Sequence, residues 1–522
     1  MSLSASVRAN SATMVLRPDP VRNAARARFV YNRGVKICSI PRRSGVRVCL
    51  LLLLALLLPG AGCRSRPVAV HIALGTPMIN LEPCSDDHET NLVLGNVYES
   101  LVEYDKDFGL RPLLALSWET PGENHWIFRL RKGVRFHDGT PLTAADAVYS
   151  LLRARDHPES LLRAHFAPVE SVTAPDPFTV AIATGSPIGD LPHHLTAAGI
   201  IRAGTEPAGV GTGPYRLAEH GKGGAVLAAF EGYWGGRPAV QELHFFLTQP
   251  GDPIERILEG RPCLILRDAV RFAGLAERGF SVMQKPGLSV AYLGFNLAIP
   301  PFDDARVRRA VALAVRSDRI VRERLQGSAR PICQAVPFLA FGHHPGLACD
   351  PDPEAAKREL TASGRPLPLP VTLLTAPKAE QTVRMIKEDL EAAGFAVELE
   401  VRPWPEVVER MLDRKASFYF SGYMSSFGNA LPTLETLFAS WGSSNTFNYS
   451  SPRMDALLRQ AAATSDDAAR LPLLHAAAEE AARDLPLVAL YNPLETYVFT
   501  PPTLKWEPRA DGRILGKELR LK

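Results

Sequence analysis

The sequence lacks several features that identify common protein classes. Its longest apolar run, Val48–Leu58, has 11 residues, whereas a helix that crosses a bilayer needs ~20. It contains neither the Gly-x-Ser-x-Gly turn of serine hydrolases nor the His-Glu-x-x-His pair of zinc proteases. The glycine-rich stretch 209–213 lacks the Lys-Ser/Thr ending of a phosphate-binding loop. These absences disfavour hydrolytic and phosphate-binding chemistry without excluding it.

An excess of positive charge is present only at the start of the chain. Residues 1–62 carry ten Lys or Arg and one Asp, a net charge of +9, while the whole chain has +4. The remainder therefore has a net charge of −5, which does not favour nucleic-acid binding. Residues 63–522 are numerous enough to form two or three domains. We also expect the protein to be a monomer.

The apolar run lies in a segment with the layout of a bacterial signal peptide. Basic residues at 42–47 precede it, and small residues at 59–62 lead to Cys63. This pattern resembles a lipobox, which implies cleavage before Cys63, a diacylglycerol on its sulfur, and a protein lipid-anchored in the periplasm or at the cell surface. A lipobox usually has Leu where this chain has Gly60, so an ordinary secretory signal is the alternative. Translation starting near Val35 would account for the long stretch upstream.

Four cysteines remain once the leader and Cys63 are set aside. Cys333 and Cys349 are close in sequence and flank a loop rich in Pro, Gly and His, so we expect them to form a disulfide in an oxidising compartment. That choice leaves Cys84 with Cys263, although four cysteines allow three pairings that sequence alone does not distinguish. Small buried thiols are the alternative.

Local patterns predict strands and helices in alternation. Residues 371–374 fit a strand, residues 380–393 a helix ended by Gly394, and residues 397–401 a second strand. Together they predict a parallel β-α-β unit. Helical spacing of apolar residues predicts a further helix within Asn91–Tyr104. The mixture of elements along the chain predicts an α/β protein with more than one lobe.

Several motifs of the mature chain resemble those of one known family. Phe128–Tyr149 reads F-R-L-R-K-G-V-R-F-H-D-G-T-P-L-T-A-A-D-A-V-Y, and Gly211–Leu217 reads G-T-G-P-Y-R-L. Asn96–Leu101 reads N-V-Y-E-S-L, and Leu293–Ala314 reads L-G-F-N-L-A-I-P-P-F-D-D-A-R-V-R-R-A-V-A-L-A. These segments closely resemble the extracellular solute-binding proteins of family 5, the dipeptide-, oligopeptide- and nickel-binding type of ABC importers.

The resemblance implies a two-lobed α/β periplasmic-binding-protein fold with a hinge and an additional subdomain on the first lobe. It places the leader at 1–62, the first lobe at 68–285 with a subdomain at about 96–205, the second lobe at 286–489, and a return to the first lobe at 490–522. It also implies a peptide or other small-molecule ligand and a partner ABC permease in the membrane. For the protein itself it implies no enzyme activity, no catalytic residue, no cofactor and no metal site. A ligand sensor that signals to a membrane receptor would share the fold, and an exported hydrolase is a third hypothesis.

The segment Phe418–Phe427, F-Y-F-S-G-Y-M-S-S-F, is where the resemblance places the ligand. Family peptide binders have Gly-Trp-x-x-Asp-Tyr-Pro-Asp-Pro here, and its first Asp pairs with the α-ammonium of the peptide. This chain has Tyr423 at the Trp and Ser426 at that Asp, which disfavours a free peptide and favours sugars, modified peptides or similar molecules. The candidate ligand-binding residues are Asp86, Asp87, Tyr292, Asn296, Tyr419, Tyr423, Ser425, Ser426, Phe427, Asn429 and Trp441.

For the histidines elsewhere in the chain, we favour structural roles over metal binding or acid–base catalysis. The adjacent pairs His193-His194 and His343-His344 lack the spacing of a metal site, and each is interpreted as part of a solvated loop. The His-Asp-Gly segment at 137–139 favours a turn over an acid–base pair.

Overall fold

The computed structural model describes residues 69–521 with short gaps. The leader and the predicted lipidation site Cys63 lie outside the described residues. Within 69–521 the gaps are Asp86, Glu123, Ser426, residues 249–251, 253–255, 258, 260, 262, 268–275 and 501–503. No helix of the described part is long and apolar enough to span a bilayer.

Strands occur along the whole described chain. Their bounds are β1 Ala69–Leu74, β2 Val102–Tyr104, β3 Leu110–Pro112, β4 Ala115–Gly122, β5 His125–Leu130, β6 Val169–Asp176, β7 Thr179–Thr184, β8 Tyr215–Gly221, β9 Gly224–Ala229, β10 Glu242–Leu247, β11 Leu264–Arg267, β12 Ser281–Pro286, β13 Ser289–Phe295, β14 Ala329–Pro331, β15 Leu369–Thr375, β16 Phe395–Val401, β17 Phe418–Met424, β18 Leu487–Phe499, β19 Leu504–Lys505 and β20 Arg520–Leu521.

Several helices begin at a residue whose side chain caps them. Thr143 and Asp146 form a capping box at the start of α2, and Asp304 and Asp352 cap α5 and α7. The helix bounds are α1 His88–Leu94, α2 Ala144–Asp156, α3 Arg163–Phe166, α4 Leu191–Leu195, α5 Ala305–Ala314, α6 Ser317–Arg319, α7 Pro353–Ala362, α8 Glu380–Ala392, α9 Trp404–Leu412, α10 Ala430–Phe438, α11 Pro452–Ala463 and α12 Asp467–Asp484.

One long sheet passes through two lobes. Its strand order is β16-β15-β17-β13-β18-β11-β1-β10-β9-β8, and β12 and β14 also pair with β18. We call the part built on β1 and β8–β11 the first lobe, together with the small sheet β4-β5-β7-β6 and its helices. The part built on β13 and β15–β17, with α5–α12, is the second lobe. The architecture is the two-lobed α/β fold that the resemblance implies, while the expected domain bounds stay predictions.

The two lobes are connected by two crossing segments. In the first, β12 and β13 follow each other through a two-residue turn at 287–288. The second is β18, whose early residues pair with β13 (Leu487↔Gly294) and whose late residues pair with β12 (Phe499↔Ser281). Because β18 belongs to both lobes, rotation about this pair of segments changes the width of the cleft between them.

The predicted β-α-β unit forms in the second lobe. β15 and β16 are parallel neighbours, and α8 connects them. Val383, Ile386 and Leu390 are fully buried on one face of α8, and truncating such a side chain typically costs ~2–5 kcal/mol. The unit matters for function because it fixes the position of the sheet edge at which β15 ends.

The helix predicted within Asn91–Tyr104 is shorter and begins earlier than expected. The structure has α1 at His88–Leu94 and a strand at Val102–Tyr104. The Asn96 side chain donates to the carbonyl of Ile514 at 2.9 Å and accepts from the amide of Gly516 at 2.7 Å. This tertiary contact with the end of the chain overrides the local helical spacing.

Two of the family-like segments, Asn96–Leu101 and Gly211–Leu217, meet at one buried carboxylate, Glu99. It accepts hydrogen bonds from Thr212, Tyr233 and Trp234 at 2.7–2.9 Å. Burial raises the pKa of Glu99, against these hydrogen bonds and the charge of Lys517, which lower it. These two segments are therefore held together inside the first lobe by buried hydrogen bonds.

The described cysteines differ in whether they form a disulfide bond. Cys333 and Cys349, the pair favoured from the sequence, form a disulfide with Cα atoms 5.5 Å apart. Cys84 is a buried free thiol, so the further pairing of Cys84 with Cys263 is wrong. The two residues pack in separate cores, Cys84 beside the small sheet and Cys263 beside β1, which keeps their sulfurs apart.

Candidate functional site

A large groove lies where two parallel strands of the second lobe end. β15 and β17 run parallel, so Thr375 and Met424, their last residues, reach the same edge of the sheet. Ligand sites of α/β proteins form preferentially at the carboxyl ends of such strands. The groove has a volume of about 860 Å³ and is also lined by Tyr491 and Pro493 of β18, which places it beside the hinge.

The lining of the groove is basic and aromatic. It contains Arg324 and Lys378 but, among the residues that the structure describes, no Asp or Glu. Neither cation has a carboxylate within ion-pair distance in the described chain, and the buried Nε of Arg324 has no hydrogen-bond partner there. Trp404 and Tyr423 add aromatic surface, and Trp404 is half exposed. The groove can therefore accept an anionic group next to a planar or apolar one.

A second cavity, of about 290 Å³, continues the groove into the space between the lobes. Ser289 and Met424 line both cavities, so the two lie side by side. From the first lobe, His88, Tyr104 and Arg513 reach this cavity. Together the two cavities form a cleft with walls from both lobes, which is the arrangement in which closure can trap a ligand.

Acidic residues at the second cavity are partly committed to other contacts. Asp511 and Glu495 line it. Asp511 forms a buried ion pair with Arg509, whose Nη2 lies 2.7 Å from its Oδ2. Burial raises the pKa of Asp511, but Arg509 and Arg513 lower it below its ordinary value, so this carboxylate stays charged and paired with protein cations.

The loop after β17 connects the lobes directly. The Asn429 amide donates to Asp190 Oδ2 of the first lobe at 2.8 Å, and the backbone amide of Gly428 donates to the Tyr104 hydroxyl at 3.3 Å. The Phe427 ring stacks on the His194 ring. Burial lowers and nearby Asp190 raises the pKa of His194, with a net rise above its ordinary value.

Several predicted ligand residues lie at this cleft. Tyr423 lines the large groove, and Ser425 lines the smaller cavity. Phe427 and Asn429 are buried in the contact between the lobes, where they touch protein rather than an open cavity. Asp86 and Ser426 lie outside the described residues, so their predicted roles stay predictions.

Three predicted residues lie in the interior instead of the cleft. Tyr292 and Tyr419 pack into the core of the second lobe, and the Tyr419 hydroxyl is 2.5 Å from Thr446 Oγ1. Asn296 is fully buried and donates to the carbonyl of Arg414. None of the three lines either cavity, because each is buried in the second lobe, and their ligand role stays a prediction.

Two other predicted residues have structural roles. Asp87 caps α1, since its Oδ2 accepts from the Thr90 amide at 2.7 Å, and it lines neither cavity. Trp441 is 47% exposed, with the Arg459 guanidinium 4.4 Å from its ring centroid. It lines neither cavity, and its ligand role stays a prediction.

Residues that sequence reasoning missed complete the site. Asp190, His193 and His194 are buried on or beside α4, so the prediction of a solvated loop for His193-His194 was wrong. The spacing of Asp190 and His194, four residues apart with Pro192 between them, was the available signal for a helix. In the described chain, no three His, Cys, Asp or Glu side chains are placed to share a metal ion.

Comparisons with known proteins identify the family. The family model described as "Bacterial extracellular solute-binding proteins, family 5 Middle" matches residues 109–445. The dipeptide-binding protein of Escherichia coli strain K12 is 26% identical over 429 residues, which cover 72% of this chain and 80% of that protein. A glutathione-binding protein of Escherichia coli O1:K1 / APEC is 28% identical over 470 residues, which cover 82% of this chain and 90% of that protein.

The fold has close counterparts among solved structures. HbpA2 from Haemophilus parasuis superposes with a TM-score of 0.78 at 22% sequence identity, covering 87% of this chain and all of that one. At this identity the likeness concerns the fold alone, a two-lobed periplasmic binding protein. Since the family model covers more than half of the sequence, the chain belongs to the bacterial extracellular solute-binding proteins of family 5, the substrate-binding proteins of ABC transporters.

Proposed function

We propose that this chain is a lipid-anchored substrate-binding protein that captures a small anionic solute between its lobes and delivers it to an ABC permease. The observation that carries the ligand class is the basic groove. Arg324 and Lys378 line a cavity of about 860 Å³ in which the described residues contribute no carboxylate. A partly buried guanidinium without a partner is costly, and a carboxylate or phosphate on the ligand removes that cost by forming charge-assisted hydrogen bonds.

The size and surface of the cleft further define the ligand. Its two cavities, of about 860 and about 290 Å³, match the size of small-molecule sites. Trp404 and Tyr423 supply aromatic surface next to the cations, so the ligand has a planar or apolar part beside its anionic group. The relatives named for dipeptides and for glutathione are named for carboxylate-bearing molecules, which supports the same class.

A free α-ammonium group fits the cleft less well. The chain has Ser426 where family peptide binders have the pairing Asp. Asp511 at the smaller cavity is already paired with Arg509. We therefore infer that the ligand is a carboxylate- or phosphate-bearing solute whose amino group, if present, is modified or absent.

Delivery of the ligand to the permease depends on closure of the lobes about the hinge. Ligand contacts made by both lobes stabilise the closed form, and they do so only by the difference between the ligand's affinities for the closed and open forms. A permease that recognises the closed form then receives loaded protein. A diacylglycerol on Cys63 with an N-acyl chain would keep the protein at the membrane surface, since two lipid signals suffice for stable anchoring.

Native mass spectrometry of the exported protein tests the ligand class. We expect a co-purified molecule whose mass and fragmentation identify a carboxylate or phosphate. The double variant Arg324→Gln/Lys378→Gln should purify without it, whereas the matched control Lys222→Gln, at an exposed lysine of the β8–β9 turn, should retain it. A cationic or uncharged molecule that the double variant retains at full occupancy would overturn the proposal.

A further inference from the structure

Two glycines, one from each lobe, are buried where the lobes meet. Gly189 precedes Asp190 in the first lobe, and Gly428 precedes Asn429 in the second. The side chains of Asp190 and Asn429 are hydrogen-bonded across the contact at 2.8 Å. Each glycine is therefore next to a residue that bridges the lobes, at a point where the two backbones come close together.

Gly189 contacts the backbone of the second lobe. Its amide donates to the carbonyl of Ala462 at 2.6 Å, which is one of the last four carbonyls of α11 and has no partner within its own helix. A Cβ atom built on Gly189 would overlap the carbonyl oxygen of Thr464, and its three nearest atoms all belong to Thr464 and Ser465. An alanine at this position would therefore clash first with the opposite lobe.

The backbone that Gly189 faces is held in place by its own lobe. The Thr464 carbonyl accepts a hydrogen bond from Nη1 of the buried Arg470 at 3.4 Å. The Thr464 hydroxyl donates to the carbonyl of Gln460 at 2.7 Å. In a close-packed contact an added methyl group fits only if its neighbours move. Because the neighbour here is fixed backbone, the lobes themselves have to separate.

Gly428 faces a buried side chain of the first lobe in the same way. A Cβ atom built on Gly428 would overlap the ring of Phe108. That ring packs edge-on against Tyr104, with centroids 5.4 Å apart, and the Tyr104 hydroxyl accepts from the Gly428 amide. The Asp105 carboxylate fixes the turn that carries Phe108, since it accepts from two backbone amides at 2.8 and 2.9 Å. The second glycine therefore also lies against a fixed part of the opposite lobe.

The backbone conformation of the two glycines does not itself require glycine. Positive φ angles, which favour glycine, occur at other glycines of the described chain but not at Gly189 or Gly428. An alanine at either position is therefore compatible with separated lobes, and the clash arises only when the lobes meet.

We propose that Gly189 and Gly428 are positioning residues that set how closely the lobes approach, and that direct contact at these positions holds the cleft closed. The inference rests on the proposed function, because it concerns closure of the same cleft. A solute that fits inside the two cavities leaves these contacts intact, whereas a larger one keeps the lobes apart. Because the contacts join protein groups only, they also stabilise the closed form of the ligand-free protein.

One added methyl group at either glycine should oppose closure. Overpacking of this contact should lower the closed-to-open ratio by roughly 5- to 100-fold. Gly122→Ala is the matched control, because a Cβ atom there would meet only Nδ1 of His125, at 3.9 Å and within the first lobe. Circular dichroism of each variant confirms that it has folded.

The distance between the lobes can be measured in the exported protein without a ligand. Spin labels at Lys222→Cys in the first lobe and Lys357→Cys in the second, both exposed positions, report closure by pulsed electron resonance after unfolding and refolding remove bound solute. The native cysteines stay unlabelled, since they are buried, joined as a disulfide or, at position 63, replaced by alanine.

We expect wild type and Gly122→Ala to show a short-distance population that Gly189→Ala and Gly428→Ala largely lose. Phe108→Ala removes the ring that faces Gly428 and leaves the backbone that faces Gly189. In that background the effect of Gly428→Ala should shrink, while the effect of Gly189→Ala should persist. A general loss of stability would not produce this difference between the two glycines.

A wild type that shows only the long distance would overturn the proposal, because contacts between protein groups form without a solute. A folded Gly189→Ala or Gly428→Ala variant with the full wild-type short-distance population would also overturn it, as would an equal loss in Gly122→Ala. Since no ligand is used, these results leave the proposed solute class standing. Conversely, a cationic co-purified molecule would overturn that class and not the closure contact at the glycines.

Discussion

The rings of Phe427 and His194 lie nearly parallel, 12° apart in plane and 4.9 Å apart in centroid distance. One belongs to the loop after β17 in the second lobe and the other to α4 in the first. The rings can meet only when the lobes meet, so their contact stabilises the closed form alone. A side chain that contacts only one of two conformations shifts the balance between them by the full energy of that contact.

Phe427→Leu should therefore favour the open form. Loss of the aromatic contact, worth ~0.5–1.5 kcal/mol, lowers the closed-to-open ratio by about two- to tenfold. Spin labels at Lys222→Cys in the first lobe and Lys357→Cys in the second, both exposed positions, measure that ratio by pulsed electron resonance. Phe178→Leu changes an aromatic side chain that packs in the core of the small sheet beside Lys132, and should leave the ratio unchanged. Equal ratios in both variants would argue against a role for the stack.

Cys63→Ala should release the protein from membranes. Without the cysteine sulfur no diacylglycerol can be attached, and the remaining chain offers no described helix that spans a bilayer. In Triton X-114 partitioning the wild type should enter the detergent phase and the variant the aqueous phase. A wild type that is already aqueous would show that the segment before Cys63 acts as an ordinary secretory signal.

Cys333→Ser/Cys349→Ser should lower stability. The disulfide closes a loop with a sequence separation of 16, and a loop of ~15 residues contributes ~3 kcal/mol by restricting the unfolded chain. Urea denaturation should show the loss of stability in the variant and in reduced wild type. Reductant should not change the stability of the variant. Non-reducing peptide maps should contain the crosslink, and two alkylated thiols at these positions would contradict it.

Unmodified di- and tripeptides should bind poorly. One charge-assisted hydrogen bond contributes ~1.5–3 kcal/mol, so replacing the family's Asp by Ser426 should lower affinity by about 10- to 100-fold. Titration calorimetry with peptides and their N-acetylated forms measures the preference, and Ser426→Asp should restore part of the binding of free peptides. Tight wild-type binding that depends on a free amino terminus would show that another carboxylate has taken this role.

Arg509→Met should unfold the protein more readily than a matched surface change. Arg509 is 1% exposed and pairs with Asp511 and Glu518, so its loss leaves a buried carboxylate without its cation, at ~3–5 kcal/mol. Arg237→Met removes an arginine that is 56% exposed and paired with Glu231, for which ~0–1 kcal/mol is expected. Chemical denaturation compares the two, and equal losses would contradict the role assigned to burial.

Much of the second lobe could be predicted because its signals are local. The β15-α8-β16 unit follows from apolar spacing and from Gly394, which ends the helix with φ at 105°. Capping side chains such as Asp304 and Asp352 lie next to the helices that they begin. These features depend only on residues that are close in sequence, so they can be predicted from the sequence alone.

The ligand cleft could be predicted only in part because its residues come from distant segments. Arg324, Lys378 and Tyr423 meet only where β15 and β17 end on one edge. Nothing in the local sequence distinguishes Arg324 from the many surface arginines. His194 was misread for the same reason, since the groups that bury it, Phe427 and Glu435, belong to the other lobe.

The shared strand β18 also sets the order of folding. The sheet of the first lobe needs β18 beside β11, and β13 of the second lobe needs it as a partner. β18 lies at Leu487–Phe499, near the end of a chain of 522 residues. Neither lobe can complete its sheet until the chain has been synthesised as far as β18. A growing chain that cannot yet close either core stays unfolded for longer, which is the state that threading through a secretion channel requires.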